Sequence, residues 1–285
     1  MSPKSLITHI KEVAKCPSFS TYEERLHPYI CEIFQDITTS EEVSVAGNNL
    51  IFQIGNDPEQ PTVAIAAHLD KINHYGESHP DTLPVSVTDR YIEGAMDDSA
   101  GVGLLLALAE AFDNESHGGP NLLFFLSEME ESKGLREHPE RLKNEGEGYK
   151  HGMGARRIAQ ACLTTEHIPD VVITLDTTPL FKGKRGLALY AKHWELNDLK
   201  ASESLKSATS NVVKAFQAID EEIELHNNTN DYLHYGYEFN EKGSHDVVSV
   251  ALEPSIYPYH QQGEKVFVAD IRQVYQNVLR FLKTY

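Results

Sequence analysis

Three short, mainly apolar runs limit what this chain can become. They are Pro61 to Ala67 (PTVAIAA), Leu122 to Leu126 and Val171 to Leu175, and helical patterns stand between them. Runs of this length without polar alternation read as strands buried on both faces, the habit of a parallel sheet covered by helices. The alternation continues through GLALYA, the helix SLKSATSNVVKAFQAI, the short strand EEIEL, and SHDVVSVALEPSIYPYH, read as a short helix and then a strand ending near His260. An amphipathic helix, VADIRQVYQNVLRFLKTY, closes the chain. The pattern predicts an α/β fold, a three-layer sandwich with a mixed, mainly parallel central sheet flanked by helices.

Upstream, Leu6, Ile7, Ile10, Val13 and Ala14 recur at helical spacing. A second helix is expected from about Thr21 to Phe34, capped by Ser20 or Thr21. EEVSVAGNNLIFQIG reads as a hairpin turning near Gly47, Asn48 and Asn49. The stretch from Lys71 to Tyr91 reads as a loop, and Asp97-Asp98-Ser99 opens a long helix. No repeat or linker interrupts the pattern, so residues 1–285 are expected to form one domain, with 135–152 as an inserted lid or assembly segment.

The run Leu122 to Leu126 leads into three carboxylates, Glu128, Glu130 and Glu131. Unpaired charge beside a core is strongly disfavoured, so this placement calls for a cation. If the cation is a metal, one glutamate can be a ligand while its neighbour takes a proton from water. Three further chemistry-bearing residues follow apolar runs: His68, Asp176 and His260. A fourth, Asp97, stands just before a helix. In open α/β sheets the carboxyl ends of the strands converge on the ligand site, which gathers two histidines and three carboxylates. One carboxylate shared between two ions, with a histidine and a carboxylate completing each side, is a set that suits two zinc ions.

The balance of 43 acidic against 25 basic residues gives a formal charge of −18. That argues against nucleic acid or an anionic membrane as partner. The N-terminal MSPKSLITHIKEVAKC lacks the apolar centre of a secretory signal, and no stretch has the length of a membrane span. Cys16, Cys31 and Cys162 fall in no paired spacing, which favours a reducing, cytoplasmic setting.

The strings AAHLD, GAMDDSAG, SEMEES and ITLD, with the late histidine of YPYHQ, resemble the co-catalytic dizinc exopeptidases. That superfamily includes bacterial leucyl aminopeptidase, glutamate carboxypeptidase and the tetrahedral aminopeptidases. The resemblance implies that His68 and Asp176 bind one zinc, that Glu131 and His260 bind the other, and that Asp97 bridges them, with cobalt or manganese as replacements. It implies Glu130 as general base and Asp70 as the partner that orients His68. A ligating histidine usually needs its second ring nitrogen held, which is an independent reason for Asp70. The interval from His68 to Asp97 is too short for the domain that tetrahedral aminopeptidases insert there, and that from Asp176 to His260 is too short for a dimerisation domain. The compact leucyl aminopeptidase plan remains.

The expected activity is hydrolysis of a peptide or amino-acid-derived amide, first as an aminopeptidase. A carboxypeptidase or N-acyl amino acid hydrolase would need a cation for the substrate carboxylate, and Arg156, Arg157, Lys182, Lys184 and Arg185 are candidates. A degenerate binding protein on the same fold and a glutaminyl-cyclase-like transferase are the rival classes. Self-assembly into a homo-oligomer is left open. Ser244-His245-Asp246 matches a hydrolase triad only in letters and reads as a helix start. Tyr257 and Tyr259 suit packing first, with a pocket wall or donation to an oxyanion as the alternatives. Glu128 has no assigned role.

Overall fold

The computed structural model describes residues 5–37, 40–76, 80–113, 119–131 and 151–285. The strands are β1 (Ser40–Val43), β2 (Leu50–Ile54), β3 (Thr62–His68), β4 (Ser86–Val87), β5 (Tyr91–Gly94), β6 (Asn121–Ser127), β7 (Val171–Leu175), β8 (Leu187–Tyr190), β9 (Glu224–His226), β10 (Val248–Pro254) and β11 (Glu264–Phe267). The described helices are α1 (Leu6–Lys15), α2 (His27–Asp36), α3 (Ser99–Asp113), α4 (Met153–Thr165), α5 (His193–Asn197), α6 (Glu203–Ile219), α7 (Asp231–Tyr237) and α8 (Val268–Thr284).

Eight strands form the main sheet in the order β1-β2-β6-β3-β7-β10-β8-β9. Its centre, β6-β3-β7-β10, is parallel throughout, and antiparallel pairs join β1 to β2, β2 to β6 and β10 to β8. The three mainly apolar runs are therefore adjacent strands of the parallel centre, each covered on both faces. Alternate side chains show the two coverings. Ile65, Ala67, Phe124 and Leu126 pack with α1, α2, α3 and α8. Ala64, Ala66, Leu123 and Phe125 pack with α4 and Tyr235 of α7. This is the expected three-layer sandwich.

Helix α3 runs beneath the sheet with Leu104, Leu105, Leu106 and Leu108 all inaccessible to solvent. A helix apolar on every side belongs inside, and each leucine so buried stabilises the fold by about 1.5–3 kcal/mol. Gly103 sets how closely α1 can approach, because a Cβ there would stand 2.4 Å from Ile10 Cγ1 and 2.7 Å from its backbone nitrogen. A smaller sheet, β11-β5-β4, ties the chain after His260 to the chain before Asp97.

Three expectations change. The second helix begins at His27 after a 3-10 turn over Glu23–Arg25, with Pro28 in its first turn. Proline fixes a helix start, and Ser20 is no cap because its hydroxyl donates to Asp70. No helix starts at Ser244; the helix lies earlier, at α7, where Asn230 Oδ1 caps it by accepting from Tyr232 N. Asp246 instead accepts from the Ser202 hydroxyl at 2.8 Å and from that of Ser204. Finally, β10 ends at Pro254, so His260 lies in the connection to β11 rather than at a strand end. The expected lid or assembly segment falls almost wholly outside the described residues, which resume at His151.

Candidate metal centre

Parallel β3, β6 and β7 end side by side, with His68 in register with Ser127. The chain leaves each strand end carrying a site residue: His68 at the end of β3, Glu130 and Glu131 just past β6, and Asp176 directly after β7. Asp97 enters from the turn before α3, and His260 from the connection after β10.

Asp97 stands between the two histidines. Its Oδ1 lies 3.1 Å from His68 Nε2, and its Oδ2 lies 3.3 Å from His260 Nε2. Asp176 Oδ1 is 3.8 Å from His68 Nε2, and Glu131 Oε2 is 3.4 Å from His260 Nε2. Donor atoms of His68, Asp97 and Asp176 are close enough to share one ion, as are those of Asp97, Glu131 and His260. The two groups have Asp97 in common. His68, Glu130 and Glu131 also fall within such a distance of one another.

Two carboxylates hold this arrangement from behind. Asp70 is fully buried and makes four contacts: its Oδ1 accepts from Glu130 N at 2.9 Å and lies 3.3 Å from His68 Nδ1, and its Oδ2 accepts from Glu131 N at 3.1 Å and Ser20 Oγ at 2.7 Å. The Asp70 carbonyl takes His68 Nδ1 at 3.0 Å. Asp70 thus stands against the second ring nitrogen of His68 and also holds the backbones of both glutamates. Glu264 does the equivalent on the other side: it accepts from Met96 N at 2.9 Å, Asp97 N at 3.1 Å and His260 N at 3.0 Å. Nothing in the sequence pattern marked Glu264; only the pairing of β11 with β5 brings it under Asp97. Asp98 was also missed. It accepts from His68 N at 3.3 Å and Gly101 N at 2.7 Å.

Burial makes the set electrostatically unbalanced. Burial opposes a proton on His68, yet its hydrogen bonds to Asp176, Asp70 and Asp97 outweigh it and hold its proton affinity well above the ordinary imidazole value. Burial alone would raise Asp97, but donation from His260 and His68 brings it below the usual carboxylate range. Burial, then the charge of Asp97, pushes Asp176 up to about 6. Burial and surrounding carboxylates also push Glu130 and Glu131 well up. More negative charge converges here than two imidazoles can neutralise, and Glu131 Oε1 is buried with no hydrogen-bond partner among the described residues. Carboxylate oxygens and imidazole nitrogens in this proportion suit a pair of divalent transition ions, so the residues fit the metal they were expected to hold.

Glu128 turns away from the centre. Its carboxylate pairs with Arg157 and accepts from Asn48 N at 2.7 Å and Asn49 Nδ2 at 2.8 Å. The cation that Glu128 demanded is thus a side chain. Arg185 likewise pairs with Asp270 at 2.6 Å, while Lys182 and Lys184 are exposed. Tyr259 stacks on the His260 ring with centroids 3.6 Å apart, whereas Tyr257 is exposed. Among the described residues no helix is long and apolar enough to cross a membrane.

The profile of peptidase family M28 matches residues 49–281. No curated protein matches the chain. Among solved structures, a TET aminopeptidase from a marine sediment thaumarchaeon superposes with a TM-score of 0.69 at 12% identity, over 98% of this chain and 96% of the other. The TET1 peptidase of Pyrococcus horikoshii, described as assembling into a tetrahedron or a large octahedral shell, gives 0.64 at 14% identity over 98% and 99%. Aminopeptidase PepT from Bacillus cereus gives 0.65 at 13% identity over 97% of each chain. At such identities the likeness is one of fold, and it extends to tetrahedral aminopeptidases despite the short interval between His68 and Asp97.

Proposed function

The chain belongs to peptidase family M28, and from that premise we propose that it is a two-zinc exopeptidase, most directly an aminopeptidase, with residues 1–285 as one catalytic unit. The observation that carries this reading is the division of the Asp97 carboxylate between His68 and His260. In this reading His68, Asp176 and Asp97 hold one ion, and Glu131, His260 and Asp97 hold the other. Bound there, the ions supply Lewis acidity toward the scissile carbonyl and the attacking water.

The chain's own groups do the rest. Glu130 is the most exposed of the buried glutamates past β6, at 8% against 2% for Glu131, which suits a base that meets substrate. Its backbone is pinned by Asp70, so its carboxylate is aimed by the group that orients His68. Glu130 accepts the proton of the attacking water and returns it to the leaving amine. The buried walls exclude bulk water, and the acidic surroundings favour a substrate with a free ammonium group.

Peptides with free and with blocked amino termini, assayed alongside zinc content, test this reading. Hydrolysis confined to free amino termini fits an aminopeptidase. Cleavage of the blocked peptides instead indicates the carboxypeptidase or N-acyl hydrolase alternative, and neither metal nor hydrolysis would leave a binding protein. A cytoplasmic location and homo-oligomer formation belong to the same proposal; light scattering of the purified chain tests the second.

A further inference from the structure

One cation beside the site has no carboxylate to pair with among the described residues. Arg156, half-buried in the first turns of α4, has no carboxylate partner among the described residues, in a chain of net charge −18. Its Nε is buried without a hydrogen-bond partner among the described residues, and its Nη2 meets His234 Nδ1 at 3.4 Å. The neighbouring Arg157 is committed to Glu128, so the contrast is between adjacent residues of one helix.

The position of Arg156 relative to Glu130 is set by two rings. His151 donates to the Glu130 carbonyl, and its Nδ1 lies 3.8 Å from Glu130 Oε1. The His151 and His234 rings meet edge to face with centroids 5.1 Å apart, and His234 in turn contacts Arg156. Gly152 makes this packing possible, since a Cβ there would fall 1.8 Å from His234 Cδ2. The path from Glu130 to the guanidinium therefore runs past two rings and its gaps come to about 12 Å, a span that one or two extended residues cover once the contact distance at each end is added.

We propose that Arg156, oriented by His234 and set beside His151, binds a carboxylate that the peptide substrate carries within one or two residues of the scissile bond. An acidic side chain and a free C-terminal carboxylate offer the same chemistry, and the planar fork of arginine matches either. The kinetic test of this assignment rests on the peptidase reading above; a binding test does not.

Three substrates separate the sources: Glu-Ala-amide, Ala-Ala and Ala-Ala-amide. Arg156→Gln is expected to lower kcat/KM on a carboxylate-bearing peptide by about 10–100-fold, the loss of one charge-assisted contact, and to change Ala-Ala-amide less than about twofold. The peptide that suffers the loss identifies the carboxylate. Arg156→Lys should fall between, since it keeps the charge but not the fork. Equal losses on all three peptides, or none, overturn the assignment. If wild type cleaves none of them, calorimetric titration of the zinc-loaded Glu130→Gln protein with the same peptides still tests the subsite, while the free and blocked peptides above decide the peptidase reading. An Arg156-dependent preference for the carboxylate peptides upholds it, and equal binding overturns it.

Discussion

The backbone N–H of Glu130 donates to Asp70 Oδ1 at 2.9 Å, and that same oxygen stands 3.3 Å from His68 Nδ1. One buried carboxylate thus fixes the proposed base and a proposed ligand together. Asp70→Ala should weaken zinc binding about 10–100-fold, the usual cost of losing a group that orients a ligating histidine. Ser20→Ala removes only one of the contacts to Asp70 and should leave zinc affinity nearly unchanged. Competition against a chromogenic chelator measures both, and equal effects would deny Asp70 its orienting role.

Glu264 makes a second, independent claim. Its carboxylate accepts from three backbone N–H groups, including those of Asp97 and His260. Glu264→Gln turns an amide NH2 toward at least one of those donors, and a buried donor left unsatisfied costs about 1–3 kcal/mol. Urea unfolding should show that loss, and turnover should fall because Asp97 and His260 are no longer held. Unchanged stability and turnover would remove Glu264 from the account.

Acid should destabilise the chain through His193. Both ring nitrogens are buried without hydrogen-bond partners among the described residues, and burial lowers its pKa to about 4. The unfolded chain binds this proton below the ordinary imidazole value and the folded chain does not, so stability is complete above about pH 6.5 and falls toward pH 4. The loss from this one group is on the order of 3 kcal/mol. His193→Gln should flatten urea midpoints over that window relative to wild type; an unchanged slope would mean that His193 is not held neutral.

Gly103 tests the packing beneath the site. Gly103→Ala forces a methyl against Ile10 where α1 crosses α3, and overpacking of this kind costs about 1–3 kcal/mol. Circular dichroism melts should show a lower midpoint, and an unchanged midpoint would mean that α1 and α3 have room to separate.

The three-layer fold was legible because β3, β6 and β7 are buried on both faces and mainly apolar, with no polar alternation. His68 and Asp176 were equally legible, since each follows such a strand directly. His260 was read at a strand end yet lies in a loop, so its assignment rested on resemblance rather than on periodicity. Helix α7 escaped notice because DYLHYGY mixes aromatic residues and glycine with no apolar period, although it supplies His234 and covers Phe125 through Tyr235. Glu264 could not be read at all. Its role depends on β11 pairing with β5, a contact between residues far apart in sequence.

The most direct test of the two-metal account is zinc content measured together with turnover in Glu130→Gln. The account predicts two ions per chain in both wild type and variant, with peptide hydrolysis abolished only in the variant. Loss of zinc along with activity would place Glu130 among the ligands, and a wild-type chain that binds no zinc would contradict the account altogether.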